Sequence, residues 1–192
     1  MKRTFHRRIS VTPGLYFFLA LLILLIPLRL LLGAMVSVAV HELCHILAIR
    51  ACGVPIHSVQ IGTCGATIQT QAMPLRQELV CSLAGPLGGL LLLLLVRWLP
   101  VTALCAAVHS LYNLLPVYPY DGGRALWCCT QLLLPDGMAG RLCRIVGFAC
   151  LTGVGILGIY GTFVLKLGIL PLFFSCLFLY RSFEMKNSLQ RG

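Results

Sequence analysis

Apolar residues run along this chain in long unbroken stretches rather than at the spacing of a half-buried helix or strand. They cover residues 15–32, 33–51, 79–99, 101–115, 145–165 and 167–180. Several fall short of the roughly 20 residues of a simple span, so tilting, local thinning or partial burial is expected. The pattern predicts an all-α polytopic membrane protein of about six transmembrane helices, folded as a single membrane-embedded domain over residues 1–192. After the second stretch, Gly53-Val54-Pro55 breaks the helix and the rhythm changes. Ser58-Val59-Gln60-Ile61 and Ala66-Thr67-Ile68-Gln69-Thr70 alternate polar and apolar residues around Gly62-Thr63-Cys64-Gly65, which predicts a short membrane-associated β-hairpin over residues 56–70. Its edge could pair with an extended peptide by strand addition, or it could be a plain connection.

Composition supports the membrane reading. Hydrophobic residues make up 59% of the chain and charged residues 10%, with a mean hydropathy of +0.94. Residues 1–8 carry four basic side chains ahead of an apolar run, like a signal peptide, but no small-residue cleavage site follows and Pro27 and Arg29 come instead; a retained first span is expected. The net charge of +10 does not point to nucleic acid, because the basic residues are scattered between apolar stretches. Their distribution reports orientation. With six spans and a cytoplasmic N-terminus, Lys2, Arg3, Arg7, Arg8, Arg50, Arg76, Arg124, Arg141, Arg144, Arg181, Lys186 and Arg191 fall inside, and only Arg29, Arg97 and Lys166 fall outside. Both termini are therefore expected in the cytoplasm of a cell whose membrane reads as bacterial. The ten cysteines include no C-x-x-C pair and lie mostly in apolar stretches, where thiols act as small core hydrophobes.

One place in the apolar pattern carries chemistry. His41-Glu42-Leu43-Cys44-His45 sits inside the second stretch. Residues four apart share a helix face, so the two imidazoles can converge on one metal ion while Glu42 projects beside it as a general base. Zinc suits such a site, since catalytic zinc takes three protein ligands and keeps one position open. Leaving three polar side chains unpaired in lipid would cost several kcal/mol, about 1–3 for each, which weighs against a chance pattern. Cys44 lies between the histidines but competes with His45 for the same place. A second segment, Asn113-Leu114-Leu115-Pro116-Val117-Tyr118-Pro119-Tyr120-Asp121-Gly122-Gly123-Arg124, leaves helical geometry at its prolines and glycines. Asp121 is the natural third ligand; its alternative is capping the helix that follows. Asn113 could stabilise an oxyanion or bond carbonyls that Pro116 leaves unpaired. His109 reads as a structural histidine. Ala84-Gly85-Pro86-Leu87-Gly88-Gly89 and Gly147, Gly153, Gly155, Gly158 and Gly161 read as helix-packing faces, the first with room for a metal site nearby.

His41-Glu42-Leu43-Cys44-His45, followed by Asn113-x-x-Pro116-x-x-x-x-Asp121-Gly122, with Ala84-Gly85-Pro86 between them, resembles the site-2 protease family of intramembrane zinc metalloproteases. The resemblance covers nearly the whole chain. It implies zinc held by His41, His45 and Asp121, Glu42 as general base, Asn113 near the scissile peptide, and cleavage in or beside a membrane segment of another protein. No peptide-binding domain is inserted between spans and no soluble domain follows Arg181, so the chain is similar to the compact branch that includes the sporulation factor-processing proteases. A membrane-tethered sigma factor precursor or anti-sigma factor is then the expected substrate, with the lipid bilayer and regulatory membrane proteins as further partners. The rival readings are an intramembrane metal-ion transporter, which would spread polar groups along several helices, and an inactive scaffold.

Overall fold

The computed structural model describes residues 8–179 apart from Thr63, Cys64, Asp136, Leu167, Leu170, Phe174 and Leu177. The basic residues expected to orient the termini (Lys2, Arg3, Arg7, Arg181, Lys186 and Arg191), and the centre of the hairpin turn, lie outside the described residues. The chain divides into two compact units, Met1–Asn113 and Leu114–Gly192.

The first unit holds β1 (Arg8–Val11), α1 (Pro13–Leu25), α2 (Leu28–Ala51), β2 (Ile56–Gly62), β3 (Gly65–Thr70), α3 (Leu75–Leu91), a 3₁₀ turn (Leu92–Leu95) and α4 (Pro100–Asn113). The predicted hairpin is present: β2 and β3 pair antiparallel from Ile56–Thr70 to Gly62–Gly65. A third strand joins it, because β1 pairs in parallel with β2 from Arg8–Ser58 to Val11–Ile61. The sheet order β1-β2-β3 leaves β3 as an outer strand.

Three helices enclose the unit's core. The buried residues of α2 include Gly33, Ser37, His41, His45 and Ile49, a stripe at spacing four that forms one ridge for packing. Its exposed side is Leu30, Leu32, Met35, Val36, Leu43 and Leu47, a surface suited to lipid. The register with α3 is antiparallel. A side chain at Gly85 would collide with the His45 ring, and one at Gly88 with the Cys44 thiol. With α4 the register is parallel: Cβ at Gly33 would stand 3.2 Å from Val101, and eight residues further along both helices the His41 and His109 rings are in contact.

The second unit holds α5 (Asp121–Leu133) and α6 (Met138–Phe163), with further helical residues at 171–173, 175–176 and 178–179. Thr130 on α5 contacts Cys143 Sγ on α6 at 3.3 Å, and the Ser175 hydroxyl donates to the Val154 carbonyl at 3.0 Å. Gly158 accommodates Ser175, whereas Gly153 and Gly155 meet nothing within 4 Å, so only part of the expected glycine face is a contact.

Hydropathy alone misplaces several boundaries. Among the described residues, three helices are long and apolar enough to cross a membrane: Leu28–Ala51, Leu75–Leu95 (α3 with its 3₁₀ extension) and Met138–Phe163. The expected division at residues 32 and 33 falls instead at Pro27, which cannot donate a backbone hydrogen bond and opens α2. That leaves α1 with 13 residues and lengthens α2 to 24. α4 stops after 14 residues, ahead of Pro116. α6 begins earlier than the expected span at 145, taking in Arg141 and Arg144. The last expected span, 167–180, lies partly outside the described residues.

Candidate metal centre

Helix α2 delivers the two histidines from its buried ridge, 2% and 8% exposed for His41 and His45, while Glu42 is half-buried one position round the helix. The ring nitrogens converge, with Nε2 of His41 and Nε2 of His45 3.1 Å apart and the rings edge to face at a centroid distance of 4.7 Å. Two nitrogens bound to one tetrahedral zinc at about 2.05 Å would stand about 3.3 Å apart. The observed convergence fits that requirement without moving the backbone.

The surroundings fix which nitrogen is available. His45 Nδ1 lies 2.7 Å from the Cys81 carbonyl on α3. A carbonyl only accepts, so Nδ1–H donates, and Nε2 is the lone-pair nitrogen turned toward His41. Carbonyl support of this kind is what orients metal-binding imidazoles in general. Gly85, one turn further along α3, is the reason the ring fits: its missing Cβ is the space the imidazole occupies. His109 on α4 covers the other imidazole, with ring centroids 4.6 Å apart at a tilt of 57° to His41.

Glu42 turns toward the sheet. Its Oε1 accepts from the Ala66 backbone N–H at 3.2 Å, at the start of β3. Gly65, at φ +109°, lies beneath the same oxygen, where a Cβ would stand at 3.4 Å. The hairpin therefore ends at the carboxylate that the motif presents as a base. Asn113 is the last residue of α4 and is 8% exposed; its amide donates to the His109 carbonyl at 2.9 Å. Its amide thus holds the end of the helix that carries His109.

Asp121 belongs to the second unit, where it is 8% exposed and is the first residue of α5. The N-cap position is Tyr120, and Asp121 stands in the first turn of the helix. Gly122 and Gly123 press against the backbone at Leu114 and Val117, so any side chain at either would force the preceding segment away. Tyr120 is held by a stacked contact with Phe178, centroids 4.9 Å apart. A carboxylate in the first turn also gains from the helix dipole.

The structure brings His41 and His45 together against Gly85 and turns Glu42 toward the hairpin, with three supports that the sequence did not announce. The Cys81 carbonyl and the Ala66 N–H are backbone groups, which leave no side-chain signature. His109, read as structural, makes ring contact with His41; its placement eight residues after Val101, the residue facing Gly33, is the spacing that separates His41 from Gly33 on the parallel α2.

No family model matches the chain. A zinc metalloprotease of Methanocaldococcus jannaschii is 30% identical over a 105-residue alignment that covers 47% of this chain and 31% of that relative. The chain thus covers about a third of the curated relative's length. The solved structure of the site-2 protease from Methanocaldococcus jannaschii superposes with a TM-score of 0.65 at 24% identity, covering 96% of this chain and 92% of that one. The fold is shared over almost its entire length, and it is a membrane-protein fold.

Proposed function

We propose that this chain is an intramembrane zinc metalloprotease of the site-2 protease kind, hydrolysing a peptide bond in or near the membrane segment of another protein. The observation that carries the reading is the convergence of the His41 and His45 Nε2 atoms at 3.1 Å on a helix whose outer face is apolar. The likeness in fold to a solved site-2 protease and the local likeness to a zinc metalloprotease support it.

In this reading His41, His45 and Asp121 hold the zinc, and residues 1–192 act as one domain in which the shorter α1 and α4 also pass through a locally thinned membrane. Bound zinc supplies a Lewis acid that polarises a peptide carbonyl and makes water a nucleophile near neutral pH. Glu42 takes the proton from the attacking water and later returns it to the leaving amine. Asn113 stands near the developing oxyanion. The substrate segment unwinds and pairs along the outer edge of β3, which satisfies its backbone groups and carries its peptide bond toward Glu42. The substrate in this reading is a membrane-tethered sigma factor precursor or anti-sigma factor, and the site opens toward the cytoplasm of a bacterial cell.

Glu42→Gln tests the proposal. The variant is expected to keep its zinc and fold while cleavage of a co-expressed tethered substrate falls by about 10²–10⁴-fold, the usual worth of a general base. Undiminished cleavage would sink the assignment. A transporter would show zinc flux in proteoliposomes that survives Glu42→Gln.

A further inference from the structure

Two thiols stand beside the metal centre without being part of it. The Cys81 Sγ faces Cys52 Sγ at 3.9 Å, Cys81 being 3% exposed and Cys52 half-buried. Cys52 is the C-cap residue of α2 and is followed by Gly53 at φ +72°; Cys81 lies in the second turn of α3. The pair therefore ties the end of the helix that carries the histidines to the helix that supports them. The same residue, Cys81, offers its carbonyl to His45 Nδ1 at 2.7 Å.

We propose that Cys52 and Cys81 form a reversible dithiol–disulfide pair whose oxidation displaces the carbonyl that orients His45 and so weakens metal binding. The effect on metal rests on the reading of the site given above; the cross-link does not. The geometry favours a covalent pair. A disulfide needs sulfurs about 2.05 Å apart, so the thiols must close by roughly 1.9 Å from their present 3.9 Å. Rotation of the two side chains supplies part of that. The rest falls on the backbone, at the helix end before Gly53 and in the α3 turn that carries the Cys81 carbonyl. The His45 ring has no slack to follow, because it fills the space against Gly85.

The reaction needs an oxidant, and a small-molecule disulfide suffices. The Cys52 thiolate, at the more exposed position, attacks one sulfur of that disulfide and releases one thiolate. Cys81 then loses its proton and attacks the mixed disulfide at Cys52, releasing the second thiol. The two cysteines lose two electrons and two protons, and the small disulfide gains both. Cys81 itself needs no access to solvent.

The test uses the full-length protein in lipid nanodiscs, equilibrated with oxidised or reduced glutathione, then alkylated and mapped by peptide mass. A Cys52–Cys81 cross-link is expected with oxidised glutathione, absent with reduced glutathione and absent in Cys52→Ser. Cobalt(II) absorption, read on the same samples without any protease assay, is expected to show binding about 10–100-fold weaker in the oxidised protein, as for loss of a group supporting a ligand. Cys52→Ser should bind cobalt equally in both buffers. Cys52 carrying glutathione with no link to Cys81 would overturn the pair, and a complete cross-link with unchanged cobalt binding would overturn its coupling to the metal. Failure of the reduced protein to bind cobalt overturns the metal reading itself, and the coupling with it, whatever the peptide map shows.

Discussion

Helices α2 and α6 look alike in the sequence, both long and apolar, with mean hydropathies of 1.8 and 2.0 in their most apolar windows. In the structure they differ. In α2, 28% of that window is buried and the buried ridge carries the polar residues Ser37, His41 and His45 between Gly33 and Ile49; in α6, 11% is buried, and the buried residues are Ala139, Gly147, Gly158 and Gly161. Small residues allow close approach and ask nothing of their neighbours. Imidazoles in an apolar helix need partners, and the neighbours of α2 are built around that need: a carbonyl at Cys81, a missing side chain at Gly85, a ring at His109. Hydropathy finds helices, while function lies where a helix carries polar groups that neighbouring elements must satisfy.

The sharpest way to break this comparison is to give α3 the side chain that the His45 ring excludes. Gly85→Ala is expected to tilt or expel the imidazole and lower zinc affinity by about 10–100-fold, measured by competition with a chelating dye. The same change at Gly153, where an added Cβ would meet no other element among the described residues within 4 Å, is expected to leave zinc untouched.

A second contrast concerns the supports of the two proposed ligand segments. Phe178→Ala removes the ring stacked on Tyr120, directly before Asp121. Truncating a buried aromatic costs about 3–5 kcal/mol of stability, and the account expects zinc affinity to fall as well in whatever fraction remains folded. Chelator competition on the detergent-purified, monodisperse fraction reads the two effects separately.

Smaller effects belong to α6. Gly158→Leu would drive a side chain into Ser175 and is expected to destabilise by about 1–3 kcal/mol in thermal unfolding, with zinc content per folded molecule unchanged. Gly153→Ala, at an open helical position, is expected to stabilise by up to about 1 kcal/mol through better helix propensity. A loss of zinc from either α6 variant would contradict the division of labour between the two helices.

These contrasts also explain what could be read in advance. The histidine pair was legible because spacing four is a property of any helix, and the hairpin because alternation is a property of any half-exposed strand. β1 was not legible: four residues pair in parallel with a strand fifty positions later, and nothing local to Arg8–Val11 announces that partner. The boundary between the first two helices was misplaced because mean hydropathy passes over Pro27, which separates α1 from α2. Gly85 was legible as a small residue in a packing motif, yet what it packs against depends on the antiparallel register of α2 and α3.

The central claim is that the apolar helix α2 carries half of a zinc site. It is tested most directly by metal analysis of the purified protein beside His45→Ala and Asp121→Ala. The account predicts about one zinc per chain in the wild type, as for a catalytic site of three protein ligands, and little or none in either variant. Zinc retained at the wild-type level by His45→Ala, or absent from the wild type after purification in zinc-containing buffer, would contradict it.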